Sequence, residues 1–421
     1  MKLTIPRLFL FVILFFTISQ LGKHFWPYTA YVSGIRVDYL SPTLYFTDLL
    51  VAGLFVYTVP SLVRLTRKSH KPSLLILFTT LILSISIIVS KYPISALYGV
   101  IKTIEMIFLG YMVSRHFNNK SGYFTACVMS SAMIIECTLV LLQMITKSSI
   151  GGIWYFLGER TFSIGNIGIS TVSALGQEWL RAYGSFPHPN VLAFFLLFGL
   201  VFVVHGLRNT NRKTKGIFYL SFVLGSLCLL LTNSRLVILL YLIFCIVNAI
   251  QYTQLRKTFV SITIILSVFI LFFFQRFGYE MIFSSDLYYR IDLAKIALKI
   301  ISEYPLFGVG LNNYFYYQID YQRMVTPVLL QPPHSIYLIS LLNFGIIGGI
   351  FFLYLLYKTI IRAYWHLKHM RTSMQYTGSL LFIALLIVGF ADHYFVTLQQ
   401  GMLLMTYILG IIWIPKTKEW A

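Results

Sequence analysis

The chain has 421 residues, of which 58% are hydrophobic and only 11% are charged, and its formal net charge is +20. Long apolar runs such as residues 74–89 cannot be hidden inside one water-soluble core, which excludes an ordinary soluble globular protein. The positive charge invites a nucleic-acid partner. Because the basic residues lie between the apolar runs, their positions indicate membrane topology instead, and we expect no nucleic-acid binding.

The apolar runs predict an all-α, polytopic membrane protein. A membrane-spanning helix needs about 20 mostly apolar residues, and runs this long and evenly apolar favour helices over barrel strands. The sequence offers about twelve such runs. They lie near 5–22, 43–63, 72–90, 93–114, 122–146, 186–207, 216–233, 235–251, 258–275, 334–361, 373–391 and 396–414.

The basic residues of alternate loops and of both termini predict the orientation. These segments carry 20 basic residues and one acid, Glu419, as the positive-inside rule describes for cytoplasmic segments. We therefore expect both termini in the cytoplasm and the segments 23–42, 147–185 and 276–333 on the other side. The basic residues are Lys2, Arg7, Arg64, Arg67, Lys68, Lys71, Arg115, Lys120, Arg208, Arg212, Lys213, Lys215, Arg256, Lys257, Lys358, Arg362, Lys368, Arg371, Lys416 and Lys418.

Four consecutive units follow from this pattern. The predicted units are a scaffold of five helices (1–146), a loop with four helices (147–275), a large polar loop that carries amphipathic helices (276–333), and three final helices (334–421). The first apolar run resembles a signal peptide, but it lacks a small-x-small cleavage motif, so we expect a retained helix. The four cysteines lie inside predicted spans without metal-ligand spacing and are interpreted as apolar fillers.

Two of the first five spans, the fourth and the fifth, carry charged residues that stand out. Lys102 and Glu105 are spaced i, i+3, and Glu136 lies in the following span. Charges at the centre of a spanning helix are costly, so these side chains should face the bundle interior and find partners. Two interpretations remain open: a structural ion pair, or the lining of a polar cavity.

The segment before the sixth span contains the sequence RAYGSFPHPN. Pro187 and Pro189 favour an extended entry, and Asn190 is expected to cap the helix that follows. Arg181 and His188 are therefore predicted at the mouth of this span. A second arginine, Arg235, lies in the tight turn between the seventh and eighth spans, where it either reaches lipid phosphate by snorkelling or makes a defined diphosphate contact.

The large polar loop predicts an amphipathic helix over residues 288–303. At 100° per residue, five polar side chains form one stripe, and Arg290 lies nearly opposite it, so that Arg290 points towards the membrane or the bundle and needs an anionic partner. Alternatively, Arg290 turns to solvent at the frayed helix start. The stripe consists of Asp292, Lys295, Lys299, Ser302 and Glu303.

Pro305 ends this helix, and the following LFGVGLNNY predicts a tight turn and a short aromatic helix. His334 then follows two prolines and opens the tenth span, where the positive end of a helix disfavours a protonated imidazole. A lone histidine of this kind is a structural residue or a general base. Asp392 and His393 close the eleventh span on the same side, either as a supporting pair for chemistry or as a solvated loop pair.

Together these motifs resemble the O-antigen ligase and polymerase superfamily. The resemblance rests on RAYGSFPHPN, the Ser234-Arg235 turn, the R-x8-K-x5-P-x2-G-x-G pattern and the H-S-x-Y-L opening of the tenth span, over residues 180–410. The resemblance implies a type C, all-helical glycosyltransferase of the bacterial inner membrane that needs no cofactor, nucleotide or metal. Ser335 stands after the histidine where many relatives have asparagine.

By the same resemblance, Arg181, Arg235 and Arg290 bind the diphosphate of an undecaprenyl-diphosphate-linked glycan donor. His334 is the catalytic base, and His188, Asp392 and His393 are possible supporting residues. The acceptor is lipid A core in a ligase or a second lipid-linked glycan in a polymerase, and membrane lipids surround the site. A transporter is the alternative from another class, although the charges gather at one face rather than near the midplane.

Overall fold

Helices dominate this computed structural model, which describes residues 3–68, 74–166, 168–174, 177–208, 215–251, 256–257, 259–265, 267–268, 285–321, 330–370 and 373–415. The helices are α1 (Ile5–Phe15), α2 (Phe46–Lys68), α3 (Leu74–Ile88), α4 (Pro93–His116), α5 (Ser121–Thr146), α6 (Ile153–Phe156), α7 (Pro189–Arg208), α8 (Lys215–Leu231), α9 (Arg235–Gln251), α10 (Ser285–Glu303), α11 (Tyr314–Gln318), α12 (Ile336–His369), α13 (Met374–Val388), α14 (Tyr394–Thr397) and α15 (Gln399–Ile412).

Within the described residues, five helices are long and apolar enough to cross a membrane: α2, α4, α5, α7 and α12. Six further apolar helices are shorter, namely the one at Ile5–Ile18 and α3, α8, α9, α13 and α15. The protein is therefore an α-helical membrane protein. The expected span at 258–275 lies largely outside the described residues, so the count of twelve stays a prediction.

Helix α7 forms the centre of the bundle. Its sequence is apolar on all sides, which is typical of a helix surrounded by other helices. In its most apolar window, 94% of the residues are buried, and it packs against α5, α8, α9, α13 and α15. The residues at the start of α7 are therefore held in a rigid setting.

Short antiparallel strands occur in two segments where the all-helical expectation had none, and they extend to residues 43–45, where the span 43–63 was expected to begin. The sequence did not predict them, because strands of two to four residues are too short to show a period of two. Strands β1 (Gly22–His24) and β4 (Thr43–Tyr45) pair, as do β2 (Tyr31–Val32) with β3 (Ile35–Arg36), and β5 (Thr171–Ala174) with β6 (Gln177–Leu180).

The first stranded segment packs onto α10 and α11. Ala30, Val32 and Leu40 are buried in one cluster with Ala297 and Ile300 of α10. Leu342 of α12 belongs to the same cluster, so the segment between α1 and α2 packs with α10, α11 and α12.

Helix α12 is broken inside its apolar run. Gly345 has a φ of +63°, which is not helical, and the preceding turn 305–310 packs into the break. The amide of Val309 donates to the carbonyl of Leu342 at 2.7 Å, and the amide of Ile346 donates to the carbonyl of Pro305 at 2.7 Å. Backbone groups in a membrane need such internal partners, so the turn completes the helix that it interrupts.

Candidate active site

A cavity of about 1190 Å³ lies where the connecting segments meet the helix ends. Its lining comes from parts of the chain that are distant in sequence: the segment 20–45, the segment 155–188, α10 with the turn after it, and the starts of α12 and α14. Ligand pockets commonly measure about 300–1,000 Å³. The cavity therefore has room for a large ligand or for two smaller ones.

Arg181 lines this cavity and is fixed by two hydrogen bonds. Its Nε donates to the carbonyl of Thr232 at 2.8 Å, and its Nη2 donates to Oδ1 of Asn190 at 3.0 Å. The amide of Asn190 in turn donates from Nδ2 to Oδ2 of Asp392 at 2.9 Å. Asn190 thus joins an arginine to a carboxylate within the first turn of α7, and the predicted cap is wrong.

His188 takes the capping role instead. The backbone amide of Asn190 donates to Nδ1 of His188 at 3.1 Å, so Nδ1 carries the lone pair and Nε2 carries the proton. Burial and the charge of Arg181 lower the pKa of His188 to about 3. The imidazole is consequently neutral and orients the entry to α7.

Arg290 reaches the cavity from α10. Its Nη1 donates to the carbonyl of Ala391 at 2.9 Å, immediately before Asp392. The side chain is partly buried and lines the cavity. The predicted amphipathic helix therefore forms, and Arg290 points into the molecule rather than to solvent.

His334 and Asp392 approach each other across the cavity wall. Nδ1 of His334 lies 3.7 Å from Oδ1 of Asp392, and this nitrogen is buried without a hydrogen-bond partner among the described residues. Asp392 is only 7% exposed, which excludes the solvated loop pair. Burial alone would raise the pKa of Asp392, but the neighbouring His334 and His393 outweigh it and hold that pKa well below its usual value.

His393 completes this group in a neutral form. Its Nδ1 lies 2.6 Å from Oγ1 of Thr397, whose hydroxyl donates to the carbonyl of His393, so Nδ1 carries the proton. Burial lowers the pKa of His393 to about 3, against the opposing charge of Asp392. Its ring lies 5.0 Å from that of His334, edge to face.

The side chains of His334, Asp392 and His393 offer ligand atoms within 4.8 Å of one another. Zinc binds imidazole nitrogen at about 2.0–2.1 Å, so two ligands of one ion lie at most about 4.2 Å apart. Ligand atoms that are 4.8 Å apart would have to move closer together to bind one zinc ion. The arrangement fits a histidine beside a carboxylate better than a preformed metal site.

Another part of the cavity is lined by Lys102 of α4. Its Nζ lies 2.5 Å from Oδ2 of Asp48 and 3.3 Å from Oε2 of Glu105, and it donates to Oε1 of Gln399. Both open interpretations of Lys102 therefore apply, since it is ion-paired and also lines the cavity. Glu136 is structural, because its carboxylate accepts from the amide and the hydroxyl of Ser185.

A comparison with protein families matches residues 220–353 to the O-antigen ligase family. The match covers about a third of the 421 residues and supports a relation to the O-antigen ligase and polymerase superfamily. The matched region includes Arg235, Arg290 and His334, whereas Arg181 and Asp392 lie outside it. A search of curated proteins found no match.

Arg235 lies within the matched region but occupies a different place from the other two arginines. It begins α9 with an exposed side chain and is not among the described residues that line the cavity. It lies three residues after Thr232, which holds Arg181. Its contact with a diphosphate stays a prediction, while Arg181 and Arg290 lie at one cavity.

Sequence reasoning missed several residues that line the cavity of this O-antigen ligase relative. Arg160 donates from Nη1 to the carbonyl of Pro187 at 3.0 Å and adds a third arginine to the lining. Tyr39 packs edge to face on His393, with ring centroids 5.6 Å apart. Both lie on segments without a sustained period, and only the adjacent Glu159-Arg160 charge pair offered a sequence signal for one of them.

Proposed function

We propose that this chain is a membrane glycosyltransferase that moves a glycan from undecaprenyl diphosphate to a sugar hydroxyl of an acceptor. The observation that carries the proposal is the meeting of Arg181, Arg290 and the His334–Asp392 pair at one cavity. The match to the O-antigen ligase family supports the same class of reaction.

The two arginines suit the donor diphosphate. A guanidinium is planar and always charged, and it binds phosphate oxygens through paired N–H groups. The hydrogen bonds to Thr232 and Ala391 hold each guanidinium in place before the substrate arrives. Such preorganised donors stabilise the charge that develops on a departing diphosphate.

His334 is the proposed general base. Its Nδ1 faces Asp392, so its Nε2 is the nitrogen that takes the proton of the acceptor hydroxyl. The acceptor oxygen forms a bond to the anomeric carbon while the bond from that carbon to the diphosphate oxygen breaks, and the electron pair leaves with undecaprenyl diphosphate. This single displacement inverts the anomeric configuration, and the cleaved sugar diphosphate bond supplies the driving force.

The acceptor decides between two members of the class. Transfer to lipid A core is ligation, and transfer to a second lipid-linked repeat unit is polymerisation. A base at His334 serves both reactions equally.

We place the protein in the bacterial inner membrane, as the resemblance implies. Both termini would lie in the cytoplasm and the cavity on the opposite face, because the basic residues of alternate loops support this orientation.

The test incubates purified protein in liposomes with an undecaprenyl-diphosphate glycan and both acceptors, and resolves the products by mass. We expect transfer to one acceptor with inversion of the anomeric centre, in the presence of EDTA and without nucleotide. No transfer to either acceptor, or transfer only with an added divalent metal, would contradict the proposal.

Variants then assign the roles. His334→Ala should lower kcat by about 10² to 10⁴, the usual contribution of a general base, with little change in donor KM.

Arg181→Lys keeps the charge but loses the planar pair of donors, so transfer should fall although the protein folds. His369→Ala and Arg256→Ala change exposed residues away from the cavity and serve as matched controls. Full activity of Arg181→Ala would count against the diphosphate assignment.

A further inference from the structure

Residues 153–157, the sequence IWYFL at α6, form an exposed apolar surface on a segment that is not a membrane span. Ile153 is 71% exposed and Phe156 is 70% exposed, and Tyr155 and Leu157 are exposed as well. Large apolar side chains that are exposed together in this way mark a contact with a lipid or with another molecule. We call these five residues the apolar ledge.

The ledge is rigid. The carboxylate of Glu159 accepts from the amides of Ile150 and Gly151 at 2.9 and 2.8 Å, and from Nε2 of Gln143 at 2.7 Å. The carbonyl of Leu157 accepts from the hydroxyl of Ser19 at 2.7 Å. These hydrogen bonds fix the position of the segment next to the cavity.

The ledge continues into the cavity. Tyr155 and Phe156 line the cavity together with Arg160, three residues beyond the ledge, and the same lining includes Arg181 and Arg290. One continuous surface thus changes from exposed apolar side chains to three cations. This combination is complementary to a molecule with a long apolar chain on one end and an anionic head on the other.

We propose that the ledge binds the isoprenoid chain of a lipid diphosphate whose head lies among Arg160, Arg181 and Arg290. This inference rests on the proposed function and assigns the lipid part of the same donor. A glycan would need many hydrogen-bonding groups, and of the exposed side chains here only Tyr155 offers one. The first isoprene units therefore lie on the ledge, and the remainder of the chain enters the membrane.

The test compares two donors that carry the same glycan diphosphate, one on an undecaprenyl chain and one on a methyl group that cannot reach the ledge. Loss of burial of one large apolar side chain corresponds to about a tenfold loss in binding. For Ile153→Ser combined with Phe156→Ser, we expect kcat/KM for the undecaprenyl donor to fall by about a hundredfold. We expect kcat/KM for the methyl donor to stay near its wild-type value, so that the preference for the long chain shrinks.

Phe25→Ser is the matched control, because Phe25 is 49% exposed on another connecting segment and does not line the cavity. This variant should keep the wild-type preference for the long chain. Equal losses with both donors, an unchanged preference in the ledge variant, or the same loss in the control would each overturn the inference. Absence of transfer from both donors by the wild type would instead overturn the proposed function.

Discussion

At the scale of single residues, the site combines charged arginines with imidazoles that burial keeps neutral. Asn190 contributes both halves of its amide, accepting from Arg181 and donating to Asp392. His188 and His393 each have a fixed tautomer, which a backbone amide and a threonine hydroxyl define. Neutral histidines do not repel the neighbouring arginines, and the cationic charge stays on planar guanidinium groups that bind phosphate through paired N–H donors.

The lowered pKa of His393 predicts an acid-labile fold. Below its ordinary value of 6.5, an unfolded His393 binds a proton that the folded protein refuses until about pH 3. The unfolded state therefore binds more protons in this window, and the free energy of unfolding falls as pH falls, by up to about 1.4 kcal/mol per pH unit for this residue. Asp392 has a lowered pKa as well, so its protonation reduces the free energy of unfolding only below its ordinary pKa of 3.8.

Denaturant unfolding of detergent-solubilised protein between about pH 6.5 and about pH 4.5 checks this expectation. His393→Asn keeps a donor for Thr397 and removes the titrating group. The fall in the free energy of unfolding should therefore become shallower by about 1.4 kcal/mol per pH unit, the contribution of one proton. The exposed His369→Asn should leave the decline unchanged. An equally steep decline in the His393→Asn variant would refute the assignment.

At the scale of elements, the break in α12 is the feature that holds the site together. The turn 305–310 follows α10, which carries Arg290, and the first half of α12 follows His334. Their backbones approach closely: a Cβ on Gly345 would lie 2.4 Å from the carbonyl carbon and oxygen of Leu306, and one on Gly308 would lie 2.3 Å from the carbonyl oxygen of Leu342. The break therefore fixes the arginine helix relative to the histidine.

Gly345→Ala should destabilise the protein and reduce transfer. The φ of +63° is strained for alanine, and the added methyl group meets backbone rather than a movable side chain. Strain of this type costs about 1–3 kcal/mol, a large share of a typical total stability of about 5–15 kcal/mol. Thermal unfolding of the purified variant measures the loss.

Gly216→Ala provides the control for this substitution. Gly216 lies in the first turn of α8, and a Cβ there would meet nothing within 4 Å. Alanine is also the better helix former, so this variant should be as stable as wild type or slightly more stable. Equal behaviour of the two variants would show that the break is not required.

At the scale of the whole molecule, the cavity and the stranded segments lie at one face of a helical bundle, and described basic residues at several helix ends lie at the other. The segments 20–45, 155–188 and 285–321 all contribute to the cavity face, whereas Arg115, Arg208 and Lys368 lie at the opposite helix ends. The positive-inside rule then predicts that the cavity faces away from the cytoplasm.

Single added cysteines test this orientation. The four native cysteines provide a low background, since three are buried and Cys127 is partly buried within α5. Lys23→Cys places an exposed thiol at the cavity face, and Lys368→Cys places one at the opposite face. A membrane-impermeant maleimide should label the first in intact spheroplasts and the second only after permeabilisation. The reverse pattern would mean that the orientation is inverted.

The sequence alone determined that the protein is a helical membrane protein and which face of α10 carries Arg290. Both follow from local properties, the length of an apolar run and the 100° step of a helix. It also singled out His334, Asp392 and His393, but could not tell a solvated pair from a buried one. Burial depends on what packs over a segment, and the apolar pattern of that segment does not contain this information.

Only the tertiary structure decided how these residues combine. The Arg181–Asn190–Asp392 chain joins residues that are up to 211 positions apart, and the break at Gly345 exists because a turn from elsewhere supplies its hydrogen bonds. It also excluded Arg235 from the described cavity lining and added Arg160. Local periodicity reports which way a side chain points from its own helix, whereas a site requires the relative placement of several elements, which packing and long-range hydrogen bonds determine.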